Sequence, residues 1–399
     1  MDATNKKRES LHSSMGRPAR GILSSYPEGL VKLIKRIREE EPGYGAQSII
    51  AMLINQYDYE PSALPSRSRM ATYLHSLHLT KEYEKHSPLP KAEFVAPKAS
   101  HDLWQLDGRG NEWVTNVGAI ALLDVKDVFS HAYISCFPAL MNSIKGHPNT
   151  DNYQTTLRLG FLEFGLPKVI QVDHASVFYD NNSKSPFPTR IHLWLISLGI
   201  ELFFSRVRQP TDQAMVERSH EILYNQILKG TTPFRNWEHL FDKCQKRKFA
   251  LNYQIDSRSC ENQPPLIAQP DAKHSKRFYT PQNEENMIQL KRIYQFLGNG
   301  KWFRQVAGNK MVFLGGQAYY INNAKPKDQL QITFCANCQH LLFQNDNELL
   351  IALHPIKGIT KNQLMGRRAE IFNIPNLQLK IPFDWEDRVD TTFRDFALP

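Results

Sequence analysis

The order of apolar runs between residues 101 and 230 constrains the fold more than any other feature of the sequence. Five runs have the length and alternation of β-strands, at 103–106, 113–125, 131–137, 168–172 and 200–205. Three runs have the apolar spacing of helices, at 150–164, 189–198 and 211–228. Three successive strands followed by alternating helices and strands predict a mixed α/β domain with helices packed on the sheet.

The chain of 399 residues is too long for one ordinary domain. Changes in composition mark the boundaries of the other segments. Short apolar runs split by Gly and Asn near the C-terminus indicate a small β-barrel. The predicted segments are a flexible basic arm (1–25), a helical module (28–78), a linker (80–100), the α/β domain (101–230), a helical segment and linker (231–290), the β-barrel (291–360) and a C-terminal tail (361–399).

Charge and cysteine content narrow the class of protein. Lys and Arg number 49 against 40 acidic residues, a net charge of +9, which weakly favours a polyanionic partner. Five cysteines in 399 residues do not form a disulfide framework, so a reducing compartment is expected. No apolar run has the length of a membrane helix. We therefore expect a cytoplasmic protein with no membrane partner.

The helical module contains three runs with helical spacing, joined by short turns. Ser66 or Ser68 precedes the third run as a predicted N-cap. Such an arrangement is typical of a helix-turn-helix, in which the last helix enters the major groove. The side chains that would face DNA are Arg67, Ser68, Arg69, Thr72 and Tyr73. A small three-helix packing unit with a solvated basic end is the alternative.

Two predicted strands each end in an aspartate, Asp107 and Asp173. Because neighbouring parallel strands end at the same edge of a sheet, these carboxylates are expected to lie close together. Glu217 lies in the third predicted helix of the α/β domain, on a polar face that could turn toward them. Each acid alone is more often a turn, cap or solvated residue. Together they predict a site for Mg²⁺ or Mn²⁺, with two ions suited to phosphoryl transfer.

Three motifs carry a family resemblance: WQLD (104–107), GLPKVIQVDHASVF (165–178) and PTDQAMVER (210–218). In order and element type, residues 100–229 resemble the integrase catalytic core shared by retroviral-type integrases and bacterial insertion-sequence transposases. The resemblance implies an RNase H-like fold with Asp107, Asp173 and Glu217 as catalytic residues and metal ligands. It further implies cleavage and strand transfer at mobile-element ends, double-stranded DNA as partner, a homo-multimer on DNA, and a bacterial, nucleoid-associated location. With this architecture, the helix-turn-helix interpretation of 28–78 gains support.

The sequence departs from the family pattern in three places. Asp173 is followed by His174 and Ala175, where the family usually has Asn-Gly. The spacing from Asp173 to Glu217 exceeds the family's usual value, and a surface loop insertion at 179–189 is expected to absorb the difference. The N-terminal region contains one predicted helix-turn-helix, where relatives often have two.

Basic and sulfur-containing side chains supply further candidates. Arg206, Arg208, Arg218 and Lys229 flank the predicted site and could hold phosphates, although each alone is more often a solvated charge. His220 could orient a phosphate or be an ordinary polar helix residue. Cys335 and Cys338, with His340 and His354 nearby, lack a second CxxC partner for zinc and are expected at a hairpin turn. Gly315-Gly316 is likewise predicted to be a hairpin turn.

The favoured function is that of a DNA transposase or integrase. Two alternatives stay open: an RNase H-like nuclease without strand joining, and a catalytically silent DNA-binding protein derived from a transposase. The His174-Ala175 pair and the short N-terminal region favour the second alternative.

Overall fold

A computed structural model describes residues 21–80, 96–143, 146–181, 183–205 and 214–367. The chain divides into two compact units, one formed by Met1–Pro88 with Tyr224–Pro233 and the other by Leu89–Leu223 with Phe234–Pro399. Among the helices of the described segments, none has both the length and the hydrophobicity that crossing a bilayer requires.

The first unit contains the three predicted helices, α1 (Glu28–Glu40), α2 (Ala46–Tyr57) and α3 (Arg67–Ser76), with a 3₁₀ turn at Pro61–Ala63. The apolar residues at helical spacing form a shared core that includes Leu30, Ile34, Ile37, Ile49, Leu53, Met70 and Leu74. The Ser66 side chain caps α3 by accepting a hydrogen bond of 3.4 Å from the Arg69 amide. The helices therefore exist, while the helix-turn-helix assignment stays a prediction.

The second unit is built on a five-stranded mixed sheet with the order β3-β2-β1-β4-β5. Its strands are β1 (Leu103–Val114), β2 (Gly118–Asp127), β3 (Tyr133–Leu140), β4 (Val169–Val172) and β5 (Glu201–Phe204). The first three strands form an antiparallel meander, and β4 and β5 extend the sheet in parallel with β1. The predicted mixed α/β domain is thus present.

Four helices accompany the sheet: α4 (Thr150–Phe164), α5 (Arg190–Ser197), α6 (Ala214–Ile227) and α7 (Trp237–Tyr253). Asn149 and Asn152 cap α4 reciprocally, each side chain accepting from the other's amide at 3.0 and 2.9 Å. Buried aromatic rings, including Trp104, Phe161 and Trp194, pack between the sheet and these helices. The helices and the sheet therefore share one apolar core.

The first strand is longer than the sequence predicted. β1 continues past Asp107 to Val114, with an irregularity between Arg109 and Glu112, and Trp113 belongs to β1 rather than to the start of β2. Gly108 resembles a strand terminator, but a side chain there would meet Leu123 and Tyr153 at 2.7 and 2.8 Å. The glycine therefore serves close packing within a continuing strand.

The predicted C-terminal β-barrel is wrong, because no sheet of the described residues closes. β6 (Lys301–Gln305), β9 (Gln329–Cys335), β10 (His340–Gln344) and β11 (Leu350–Pro355) form an open sheet of order β11-β10-β9-β6. β7 (Met311–Leu314) and β8 (Gln317–Tyr320) form a separate hairpin. Its turn contains Gly315 and Gly316, both at positive φ, as predicted.

The open sheet does not need to close because other elements cover its apolar face. Buried residues of β6, β9 and β10, such as Trp302, Ile332 and Leu341, belong to the same apolar cluster as the α/β core. The ring of Phe334 lies 5.7 Å from that of Tyr294 in α10 (Leu290–Gly298). Alternating burial alone predicts a covered sheet face and does not distinguish closure from packing against a neighbouring helix.

The segment between α7 and the C-terminal strands is packed rather than extended. It contains the short helices α8 (Pro265–Ala268) and α9 (Glu284–Met287) and 3₁₀ turns at Arg258–Cys260, Pro270–Lys273 and Pro281–Asn283. Glu284, which is fully buried, accepts hydrogen bonds from Arg158, Trp194 and Tyr279 at 2.6–2.8 Å. Beyond the strands, α11 (Lys361–Met365) contacts Arg158 and Gln154 through its backbone carbonyls.

Candidate active site

Asp107 and Asp173 occupy adjacent parallel strands of the central sheet. β1 pairs with β4 through Leu103↔Val169, Trp104↔Ile170 and Gln105↔Gln171. Continuing this register by two residues sets Asp107 opposite Asp173, which directly follows β4. The expected juxtaposition of the two aspartates therefore follows from the strand pairing, since parallel neighbours lie about 4.8 Å apart.

A buried amide pair lies two residues before these aspartates. Gln105 Nε2 donates to Gln171 Oε1 at 3.0 Å, and Gln171 Nε2 donates to Ser205 Oγ at 3.2 Å. Gln105 Oε1 also accepts a 3.3 Å hydrogen bond from the Val216 amide of α6. Because Glu217 is the next residue, this network fixes the start of the described part of α6 against β1.

His220 lies between two carboxylates of neighbouring strands. Its Nε2 is 3.1 Å from Asp107 Oδ2, and its Nδ1 is 2.8 Å from Asp124 Oδ2. Burial acts to lower the pKa of His220, but the charges and contacts of Asp124 and Asp107 outweigh it and raise that pKa to about 10. The two carboxylates therefore favour the protonated form of the imidazole.

The sequence left His220 either as a residue that orients a phosphate or a metal-bound water or as an ordinary polar helix residue, and the structure shows its side chain buried between two carboxylates. The buried residues of α6 are Val216, Ser219, His220, Leu223 and Ile227, whereas Glu217 and Arg218 are exposed. A side chain that is 5% exposed cannot reach a DNA phosphate without leaving both of its carboxylate partners. Sequence periodicity placed His220 on the polar face that could turn toward the aspartates, but it did not indicate that the side chain would be buried.

The three predicted acids influence one another through Asp107. Burial and then the charge of Asp107 raise the pKa of Asp173, and the same two causes raise the pKa of Glu217. Burial also acts to raise the pKa of Asp107, but His220 and the Gly108 amide lower it below its ordinary value. Carboxylates that destabilise each other's charge are neutralised effectively by a cation.

Whether these side chains suit a metal ion depends on donor chemistry and on arrangement. Three carboxylates are hard oxygen donors of the kind that Mg²⁺ and Mn²⁺ prefer, and their mutual repulsion fits a cation between them. Within the described residues, however, no three His, Cys, Asp or Glu side chains are already grouped to hold one ion. The donor set therefore fits in chemistry, and metal binding would require the side chains to converge.

The turn after Asp173 accommodates the residues that depart from the family pattern. The Ala175 amide donates to Asp173 Oδ1 at 2.9 Å, and neither His174 nor Ala175 has a positive φ. The His174 ring lies 5.2 Å from that of Tyr179 and 5.4 Å from that of Phe204. Glycine is thus not required here by backbone conformation.

The predicted loop insertion at 179–189 is fixed to the C-terminal sheet. Arg304 Nη1 donates to the Ser185 carbonyl at 2.7 Å, and Arg304 Nη2 lies 3.6 Å from Asp180 Oδ2. Trp302 Nε1 donates to the Pro186 carbonyl at 3.1 Å. Among its described residues, the insertion is therefore a packed part of the second unit.

The DNA-contact candidates have mixed positions. Arg67, Ser68, Arg69 and Thr72 are exposed on α3, and Tyr73 is half-buried against the helical core. Arg218 is exposed on α6, and Lys229, also exposed, lies with its Nζ 5.5 Å from the centre of the Tyr224 ring. Arg206 and Arg208 lie outside the described residues.

Several site residues escaped the sequence-based prediction: Gln105, Asp124, Gln171 and Ser205. A signal for two of them was present, because QLD and QVD repeat the same spacing of Gln and Asp in β1 and β4. Asp124 is a lone acid within the apolar run GAIALLDV. A buried acid in such a run needs a partner, which predicts a paired role.

Comparison with known proteins gives remote structural likenesses. No family model matches the chain. A chain of the simian T-cell lymphotropic virus intasome in complex with PP2A regulatory subunit B56 gamma is 15% identical with a TM-score of 0.35, covering 77% of this chain and 96% of that one. The HTLV-2 integrase catalytic core domain in complex with magnesium, in its trimeric form, is 16% identical with a TM-score of 0.32, covering 43% and 98%. We draw no functional conclusion from likenesses at these scores.

Proposed function

We propose that this protein is a DNA transposase or integrase that cleaves and joins DNA strands at mobile-element ends. The observation that carries the proposal is the parallel pairing of β1 with β4, whose register, if continued two residues beyond Gln105↔Gln171, would bring Asp107 next to Asp173. Glu217 is the proposed third acid, and the effect of the Asp107 charge on its pKa supports this assignment. The sequence motifs around these residues, which resemble those of an integrase core, agree with this assignment.

Each acid has a distinct position in the proposed chemistry. Asp107 and Asp173 would hold Mg²⁺ or Mn²⁺ from adjacent strands, and Glu217 would reach the same ions from α6. Two such ions supply Lewis acidity to the attacking and leaving oxygens of a phosphodiester. Gln105 and Gln171 orient the strand ends and α6. Arg218, exposed one residue beyond Glu217, is placed to contact a phosphate.

The binding of DNA is assigned to the first unit as well as to the core. Arg67, Ser68, Arg69, Thr72 and Tyr73 of α3 are proposed to contact element ends, with the capped start of the helix toward the DNA. Because two ends must be joined together, we propose that the protein acts as a homo-multimer on double-stranded DNA.

The test is a strand-transfer assay with the full chain, Mg²⁺ and a plasmid that carries the gene with its flanking DNA. Asp173→Asn is expected to abolish joining while leaving DNA binding intact, with a loss of at least about 10³-fold. Glu201→Gln is the matched control, because Glu201 is an exposed acid at the opposite end of the parallel strands. The control should join DNA as the wild type does.

A catalytically silent DNA-binding protein is the second candidate. Two observations favour it: His220 contacts Asp107, and the described acids are not already grouped around a cation position. DNA binding without cleavage or joining by the wild type would support this candidate and contradict the enzyme. Cleavage without joining would indicate a nuclease.

A further inference from the structure

Two thiols lie together at the tip of the β9–β10 hairpin, away from the acidic site. Cys335 ends β9, Cys338 lies in the turn, and His340 begins β10. Cys335 is half-buried and Cys338 is exposed. The three other cysteines, Cys136, Cys244 and Cys260, are buried, so this pair contains the accessible thiols of the chain.

The turn has the geometry of a single helical turn. The Gln339 amide donates to the Cys335 carbonyl at 2.9 Å, and Gln339 has a φ of 58°. In such a turn, residues three apart are neighbours, with Cβ atoms about 5–6 Å apart. A disulfide needs Cβ atoms about 3.5–4.5 Å apart, so the backbone of this turn has to tighten by about 1–2 Å before the two sulfurs can bond.

The hydrogen bonds differentiate the two sulfurs. The Cys338 amide donates to Cys335 Sγ at 3.4 Å, while the Cys338 thiol faces the Cys335 carbonyl at 4.0 Å. Hydrogen bonding from the Cys338 thiol and amide lowers the pKa of Cys335, and the same thiol contact raises the pKa of Cys338. The amide hydrogen bond to its Sγ therefore favours Cys335 as the attacking thiolate, and Cys338 is placed to attack second.

The surroundings favour redox chemistry over metal binding. His340 is the cross-strand partner of Cys335, but its Nδ1 lies 2.5 Å from the Cys338 carbonyl. His354 has its Nε2 2.9 Å from the Tyr320 carbonyl. In the described part of the chain, no group of three ligating side chains is arranged for a metal.

We propose that Cys335 and Cys338 form a reversible intramolecular disulfide by exchange with a small-molecule disulfide. The Cys335 thiolate attacks one sulfur of that disulfide, forming a mixed disulfide and releasing one thiolate. Cys338 then loses its proton to solvent and attacks the Cys335 sulfur, releasing the second thiolate. The protein dithiol is oxidised by two electrons, and the small disulfide is reduced to two thiols.

Oxidised glutathione, added to the native full chain, tests the proposal by intact mass and peptide mapping. The wild type is expected to lose two hydrogens and retain no glutathione, with a Cys335–Cys338 crosslink that a dithiol reductant reverses. Cys338→Ser is expected to trap one glutathione on Cys335. Cys335→Ser is expected to react more slowly than Cys338→Ser, because the Cys338 amide that donates to Cys335 Sγ then has no thiolate to stabilise.

Several results would overturn the inference. These are a wild type that carries two glutathiones without a crosslink, one that stays unmodified, and a Cys335→Ser variant that reacts as fast as Cys338→Ser. The three buried cysteines serve as an internal control, since they should stay unmodified unless the protein unfolds. Circular dichroism of both serine variants checks that the fold is kept.

Discussion

At the scale of single residues, Asp124 shows how a buried charge depends on one partner. The side chain is 1% exposed in the middle of the sheet, and its Oδ2 lies 2.8 Å from Nδ1 of His220. Removing the charge leaves a buried imidazolium with Asp107 as its remaining carboxylate partner. We expect Asp124→Asn to lower the free energy of unfolding of the second unit by about 3 kcal/mol, measured by urea denaturation.

The control for this variant is Lys246→Gln. The Lys246 side chain is 76% exposed and pairs with Asp242 one helical turn away, a geometry worth less than about 1 kcal/mol. Equal losses of unfolding free energy for the two substitutions would show that the buried contacts of His220 with Asp107 and Asp124 stabilise the protein no more than a surface ion pair does.

His101 provides a pH-dependent contribution to stability. Burial, and then the charge of His274, lower its pKa to about 4, and its Nδ1 accepts a 3.2 Å hydrogen bond from Trp104 Nε1. A neutral histidine in the folded state gives its full contribution above pH 6.5 and loses it as the pH falls toward 4. Between pH 7 and 4, wild type should lose about 2–3 kcal/mol more stability than His101→Asn.

Asn is the appropriate replacement because His101 has a φ of 64°, a conformation that Asn tolerates. Urea unfolding at pH 7, 5.5 and 4 gives the comparison directly. Parallel losses for wild type and variant across this range would mean that His101 is not the group that titrates.

At the scale of elements, α4 packs against β3 through a glycine. A side chain at Gly160 would meet Ile134 Cγ2 at 2.8 Å, with the Trp104 ring at 3.6 Å. Although Ala favours helix formation, this contact should outweigh that preference, so Gly160→Ala is expected to cost about 1–3 kcal/mol. Differential scanning calorimetry measures the resulting drop in Tm.

Gly29, in the first turn of α1, is the matched control. A Cβ there meets nothing within 4 Å, so Gly29→Ala should raise the stability of the first unit by up to about 1 kcal/mol. Destabilisation by both substitutions, to the same extent, would contradict the packing explanation.

The elements also show what sequence patterns can predict. Helix α4 lies where its apolar spacing indicated, and α7 lies within the predicted helical segment. Strands β4 and β5 begin and end within one residue of expectation. The start of β2 was misplaced, because Gly108 and Gly110 resemble strand ends while β1 continues through a bulge. The barrel was mispredicted because alternation reports that one face is covered and not which element covers it.

The acidic site was likewise predictable from the sequence only in part. The adjacency of Asp107 and Asp173 was predictable, since it needs only two parallel neighbours in one sheet. The burial of His220 between Asp107 and Asp124 was not, because it depends on the rotation of α6 about its axis and on the β1–β2 register, which pairs Asp107 with Asp124.

At the scale of the whole molecule, a buried carboxylate is one of the contacts that join the C-terminal half of the second unit to its core. Glu284 pairs with Arg158 of α4, both with fully buried side chains, and also accepts from Trp194 and Tyr279. We expect Glu284→Gln to destabilise the second unit by about 3–5 kcal/mol, since it leaves the Arg158 charge unpaired. Chemical denaturation followed by tryptophan fluorescence measures this.

Glu285→Gln is a suitable control for that variant, because Glu285 is the exposed neighbour in the same short helix. A loss below about 1 kcal/mol for Glu284→Gln would contradict the assigned role of the pair.

The central claim is that residues 107, 173 and 217, on three separate elements, share divalent cations. Fe²⁺ in place of Mg²⁺, with ascorbate and peroxide, cleaves the polypeptide backbone near the bound metal. With the full chain and DNA, we predict cuts near all three residues, suppressed together by excess Mg²⁺ and lost together in Asp173→Asn. Cuts near only one of these residues, or cuts that persist unchanged in Asp173→Asn, would contradict the account.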